Sequence, residues 1–155
     1  MAVRIHATCV ALGAHGALLL GKPGSGKSDL ALRFALTRLP DEFGPPALVA
    51  DDQAEISPQG ATLLARAPAA LAGKIEIRGL GIVAIPFREE AELRLAILLS
   101  DRTAVPRMPD ENLWHEVCGV RLPSLTMHAF DCSAPLKLAI AIHQSKACTS
   151  WKSLG

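Results

Sequence analysis

The sequence predicts an α/β fold, a compact P-loop domain with a mixed, strand-rich core. Three observations lead there. First, Gly21-Lys22-Pro23-Gly24-Ser25-Gly26-Lys27-Ser28 fits the pattern of a glycine, four residues, then glycine, lysine and a serine or threonine. Second, the flanks are right. The apolar run Ala17-Leu18-Leu19-Leu20 reads as a buried strand leading in, and Ser28 to Leu36 reads as a helix leading out. Third, the rest of the chain carries many short strand-like runs and only one further helix, which argues against a doubly wound sheet of alternating strands and helices.

Each element follows in order. Val3 to Leu12 is rich in β-formers, and Gly13-Ala14-His15-Gly16 breaks it. The two runs make a hairpin whose second strand delivers the P-loop, with His6 on the first strand. In the loop, glycines let the backbone turn its N–H groups inward around an anion, and the helix N-terminus adds partial positive charge. Lys27 would reach the β- and γ-phosphates, and Ser28 would hold Mg²⁺ through its hydroxyl. The proline, glycine and acidic residues of Leu39 to Pro46 read as a loop. Ala47-Leu48-Val49-Ala50 is a short apolar strand that ends in Asp51-Asp52. A carboxylate at that point can bind Mg²⁺ or its water, or accept a proton from a hydroxyl nucleophile.

Residues 53–56 and 61–65 read as strands around a turn at Ser57-Pro58-Gln59-Gly60. Lys74 to Ile85 is strand-like with a glycine bend at Gly79 and Gly81, and Glu76 and Arg78 share one face. That polar face suits either Mg²⁺ and phosphate or a plain surface ion pair. Glu92 to Leu99 is another strand, and Ser100 to Val117 reads as an exposed loop in which two prolines flank Arg107. Val120 to Phe130 is a last extended stretch. Leu136 to Ala147 is the closing helix, with Leu136, Ile140 and His143 on one side.

The 155 residues are read as one domain, 1–155, half hydrophobic and one fifth charged. A net charge of +1 gives no electrostatic case for nucleic acid or an anionic membrane. Six aromatics and no tyrosine make a base-stacking nucleic-acid platform unlikely on composition. No apolar run approaches the ~18 residues of a membrane span, and the N-terminus lacks a signal-peptide core, so a cytoplasmic protein is expected. Cys9, Cys118, Cys132 and Cys148 lie far apart with no Cys-x-x-Cys pair, as reduced core fillers would.

Taken together, Ile5-His6, the P-loop with Asp29-Leu30-Ala31-Leu32, Leu48-Val49-Ala50-Asp51-Asp52 and Glu76-Ile77-Arg78-Gly79-Leu80-Gly81-Ile82-Val83 resemble the catalytic domain of HPr kinase/phosphorylase. The last stretch is the most specific of the four. The resemblance implies an HPr-kinase-type fold similar to phosphoenolpyruvate carboxykinase. It implies a bifunctional enzyme that phosphorylates a serine of the phosphocarrier protein HPr with ATP and Mg²⁺, and removes that phosphate with inorganic phosphate to give pyrophosphate. Carried onto this sequence, catalytic residues fall on His6, Lys27, Asp51 and Arg107, with Arg102 as fallback. Nucleotide binding falls on Gly21 to Ser28, and Mg²⁺ ligands on Ser28 and Glu76, with Asp52 alongside. Residues 121–126 resemble a part tied to dephosphorylation. The resemblance also implies a hexamer, and a role in regulating the sugar phosphotransferase system.

Three departures stand out. The family's N-terminal domain has no counterpart, as in truncated proteobacterial forms. Lys22-Pro23 replaces an acid and a serine, and the residues after Phe130 diverge. Two other readings share the P-loop and Asp51: a small-molecule P-loop kinase, and a nucleotide-binding sensor without turnover.

Overall fold

The computed structural model describes residues 1–146, so Cys148 and the tail from Ala147 onward lie outside the described residues. Eleven strands and two helices are described, α1 at Lys27–Ala35 and α2 at Ala134–Ser145. The strands are β1 Val3–Ile5, β2 Thr8–Leu12, β3 His15–Leu20, β4 Pro46–Ala50, β5 Ala54–Gln59 and β6 Thr62–Arg66. They continue with β7 Lys74–Ile77, β8 Gly81–Ala84, β9 Glu90–Leu99, β10 Trp114–Val117 and β11 Val120–Met127. The main sheet runs β1-β5-β6-β9-β3-β2-β4, with β11 also beside β9 and β10 beside β11; β7 and β8 form a separate hairpin.

Strand direction is what builds the site. β2 is antiparallel to both β3 and β4, so β3 and β4 run the same way with β2 between them. β3 and β11 are each parallel to β9. The C-terminal ends of β3, β4, β9 and β11 therefore share one edge, where ligands of parallel sheets collect. The start of antiparallel β2, at Thr8, meets the same edge.

Both faces of the central strands are covered, which explains their unbroken apolar runs. Val10, Leu12, Leu19, Leu95 and Ile97 pack with Phe34 of α1 and Leu138 and Ile142 of α2. The alternating set, including Cys9, Leu18 and Ala96, packs on the other face with Ile56, Leu63 and Leu122. One buried cluster on each face is what a period of two produces.

Several sequence expectations change. His6 stands at a bend just past β1 rather than in a strand, and that bend separates two strands where one was expected. β5 runs through Ser57 and Pro58 to Gln59, so the turn sits at Gly60-Ala61. Proline is tolerated there because β5 ends within two residues and Pro58 needs no N–H bond. The segment 100–117 is not all loop: it contains a 3-10 turn at Arg102–Ala104 and β10, which pairs with β11. α2 begins at Ala134, two residues before the expected start, with Pro135 in its first turn where its missing N–H costs nothing. Its buried face is that of Leu138, Ala141 and Ile142, while Leu136 and Ile140 are exposed. His143 stacks on Phe43 with ring centroids 4.2 Å apart. His15 is half-buried on β3 and pairs with Leu12 and Glu92.

Candidate phosphate-binding site

The loop between β3 and α1 is built from its glycines. Gly26 is the N-cap of α1 at φ 97°, ψ 18°, and Gly24 lies at φ 82°. Both occupy the left-handed region, where side chains with a Cβ are costly. Ser25 N–H closes a turn onto the Lys22 carbonyl at 3.0 Å. No side chain caps α1. The N–H groups of its first turn, which lack intrahelical partners, are left for an anion.

Lys27 is the only buried charged side chain among the described residues, 7% exposed. Its Nζ donates to the carbonyls of Gly21 (2.7 Å) and Lys22 (3.2 Å). An ammonium has three donors, so two now brace the loop while its charge stays at the loop's centre. The Ser25 hydroxyl is buried without a protein partner and lies over the Gly21 backbone.

Asp51 comes from the end of β4, one strand away from the loop. Ser28 Oγ donates to Asp51 Oδ1 at 2.6 Å, joining the first turn of α1 to β4. Thr8, fully buried at the start of β2, donates to the same carboxylate oxygen at 3.3 Å and accepts from the Asp52 N–H at 3.3 Å. Thr8 is the residue the sequence reading missed. Its signal was weak, a polar residue in an otherwise apolar strand start. Gln53 N–H bonds the Asp51 carbonyl at 2.8 Å, and this tight turn sets Asp52 at φ 67°, a conformation aspartate tolerates. The turn sends the Asp52 carboxylate outward, 3.3 Å from His6 Nε2. His6 thus meets Asp52, not Asp51.

His6, the loop residues Pro23, Gly24 and Gly26 to Ser28, Asp52 and the β7–β8 hairpin border one cleft of about 950 Å³, to which Asp51 is joined through Ser28. Glu76 and Arg78 both line it. Arg78 stands in the turn past the end of β7 rather than in the strand, and Ile75 and Ile77 line the same cleft. Arg107 stands elsewhere, on a second cavity of about 340 Å³ between the 105–113 loop, β11 and α2. Arg102 pairs with Asp131 at 2.5 Å, and Asp131 follows the cleft-lining Phe130 in the chain.

Among the described residues no three His, Cys, Asp or Glu side chains converge as a metal cluster. That donor set still fits Mg²⁺, which keeps several waters and takes one or two carboxylates together with substrate phosphates. Ser28, Asp52 and Glu76 offer hard oxygen donors on one cleft. No described helix is long and apolar enough to cross a membrane.

Comparison with known proteins bears on this geometry. The family model of the HPr Serine kinase C-terminal domain matches residues 1–132. An HPr kinase/phosphorylase of Clostridium beijerinckii is 28% identical over 134 residues, 80% of this chain and 42% of that protein. One from Aromatoleum aromaticum is 37% identical over 117 residues, 68% of this chain and 35% of that protein. The chain thus spans about two fifths or less of the length of these relatives. The HPr(Ser) kinase/phosphatase structure from Coxiella burnetii superposes with a TM-score of 0.75 at 21% identity, covering 94% of this chain and 97% of that one. That likeness is one of fold: a mixed, strand-rich α/β sheet with two helices.

Proposed function

The chain belongs to the family of the HPr serine kinase C-terminal domain, and from that premise we propose that it transfers a phosphoryl group from ATP to a serine of HPr and returns it to inorganic phosphate. The observation that carries the reading is the Ser28–Asp51 hydrogen bond of 2.6 Å, which ties a proton acceptor to the phosphate loop. A phosphoryl group held there has the acceptor for an attacking hydroxyl beside it.

In the forward direction the loop N–H groups from Gly24 to Ser28 and the Lys27 ammonium hold the triphosphate and spread its charge. Ser28, Asp52 and Glu76 are the residues that would hold Mg²⁺, which would supply further charge neutralisation. Asp51 accepts the serine proton as its oxygen bonds to phosphorus and the bond to ADP breaks. In reverse, an oxygen of inorganic phosphate attacks the phosphoserine phosphorus, the bond from phosphorus to the serine oxygen breaks, Asp51 returns the proton to that oxygen, and pyrophosphate is released. One cradle serves both directions because each places a phosphoryl group between two oxygens. His6 holds Asp52 toward the cleft, and Arg78 adds positive charge on the opposite wall. The loop arginine of the family corresponds by order to Arg107, and alanine variants of Arg107 and Arg102 decide between them by which one loses kcat.

A cytoplasmic location and a hexamer are part of this proposal, as is HPr as partner. The test is incubation of the protein with Mg²⁺, ATP and HPr, reading the mass of HPr. One phosphate gained, then lost on adding excess inorganic phosphate with pyrophosphate released, is expected. Lys27→Ala abolishes both reactions. ATP binding with HPr unchanged overturns the kinase reading in favour of a nucleotide sensor or another substrate.

A further inference from the structure

Phe130 has no part in the chemistry above, yet it is an aromatic side chain on the wall of the phosphate cleft. It is 54% exposed, and its exposed side chain lines the cleft. One edge of the ring rests on the phosphate loop: a Cβ added at Gly26 would come within 2.9 Å of Phe130 Cζ. About half of the side chain is open to solvent. Pro23, Leu32 and Ile77 border the same cleft, so its wall carries apolar side chains as well as Lys27 and Asp52.

The ring is also held in place. Ala129, the residue before it, is buried and its carbonyl accepts from Arg33 of α1. The Asp131 carbonyl accepts from the same guanidinium at 3.3 Å. The Asp131 carboxylate is paired with Arg102 at 2.5 Å and Lys137 at 3.5 Å. His128 meets the ring edge-on with centroids 5.8 Å apart, and its own Nδ1 lies 2.9 Å from the Ser100 carbonyl. A backbone segment fixed on both sides presents an exposed ring as a rigid platform, which keeps the ordering cost of stacking low.

We propose that Phe130 is the nucleobase-stacking residue of this site, the group that makes the cleft take a nucleoside triphosphate rather than a bare polyphosphate. The inference rests on the reading that residues 21–28 hold the nucleotide phosphates. Stacking uses the π-face that every base presents, so the platform discriminates base from no base more than one purine from another.

Calorimetric titration of the protein with Mg²⁺-ATP and with Mg²⁺-tripolyphosphate tests it. The wild type binds ATP at least about tenfold tighter than tripolyphosphate. Phe130→Ala removes most of that preference, weakening ATP about tenfold while leaving tripolyphosphate unchanged, and Phe130→Trp keeps it. Equal ATP affinity in Phe130→Ala and wild type overturns the proposal, as does a matching loss of both ligands, which marks Phe130 as a support of the loop. A wild type that binds both ligands equally overturns the stacking role but leaves the phosphate cradle standing. A wild type that binds neither overturns both.

Discussion

Replacing Gly26 by alanine tests how the phosphate loop is held. The backbone at Gly26 lies at φ 97°, ψ 18°. An L-residue in the left-handed region costs about 1–2 kcal/mol. A Cβ there also meets Ala129 Cβ at 2.7 Å and Phe130 Cζ at 2.9 Å. The Ala129 carbonyl is tied to Arg33, so that segment gives way reluctantly. Overpacking of this kind costs about 1–3 kcal/mol. The two effects add to about 2–5 kcal/mol, and at about 2–4 °C per kcal/mol for a chain of this size the midpoint falls by about 4–20 °C. Urea denaturation followed by circular dichroism gives the stability, and ATP titration gives the function. Ala129→Gly in the Gly26→Ala background should restore the share of the contact cost due to the Ala129 methyl, and neither the Phe130 share nor the backbone portion. A Gly26→Ala protein within about 0.5 kcal/mol of wild type, with ATP affinity intact, would refute the account of the loop.

Three further outcomes follow from the same geometry. Thr8→Val removes the buried hydroxyl that joins Asp51 to the Asp52 N–H; kcat should drop at least about tenfold with KM for ATP little changed, at a stability cost of about 1 kcal/mol, and Thr8→Ser should restore the rate. An unchanged kcat in Thr8→Val removes Thr8 from any positioning role. His15 is held below the ordinary histidine value by its burial, then by Arg94, with Glu92 opposing and Lys146 and Arg88 assisting. The unfolded chain therefore takes up the proton first, so the stability His15 contributes is present above the ordinary histidine value and is lost as pH falls through it. His15→Gln should flatten the dependence of Tm on pH between about 7 and 5, and an unaltered slope would contradict this. Burial pushes the Cys9 thiol far up, whereas Cys118 and Cys132 are exposed; a thiol reagent should label the latter two in the folded protein and reach Cys9 only on unfolding, which mass spectrometry of the labelled peptides reads directly.

The sequence determined what is local. The P-loop and the helix after it need only neighbouring residues: glycines at positive φ, an apolar strand before, helix formers after. Asp51 at the end of an apolar run was legible for the same reason, because a strand and its terminus are written in consecutive residues. Alternation predicted one shared face for Glu76 and Arg78, but β7 ends at Ile77 and Arg78 stands in the turn that follows. Only the tertiary structure decided which side faces what. The Thr8 hydroxyl touches a carboxylate 43 positions away because β2 lies between β3 and β4. Phe130 reaches Gly26 because β11 runs parallel to β9 and ends on the same edge. β10 escaped notice since it is short and sits in a polar, proline-containing stretch, with only Val117 buried, and pairing with β11 makes it a strand. Arg107 and the cleft were parted by the same kind of fact, since its proline-flanked loop closes over α2 and β11. Strand order and direction depend on contacts between distant segments, whose side chains carry no mark of their partners in a single sequence; local periodicity fixes an element, and packing chooses its neighbours.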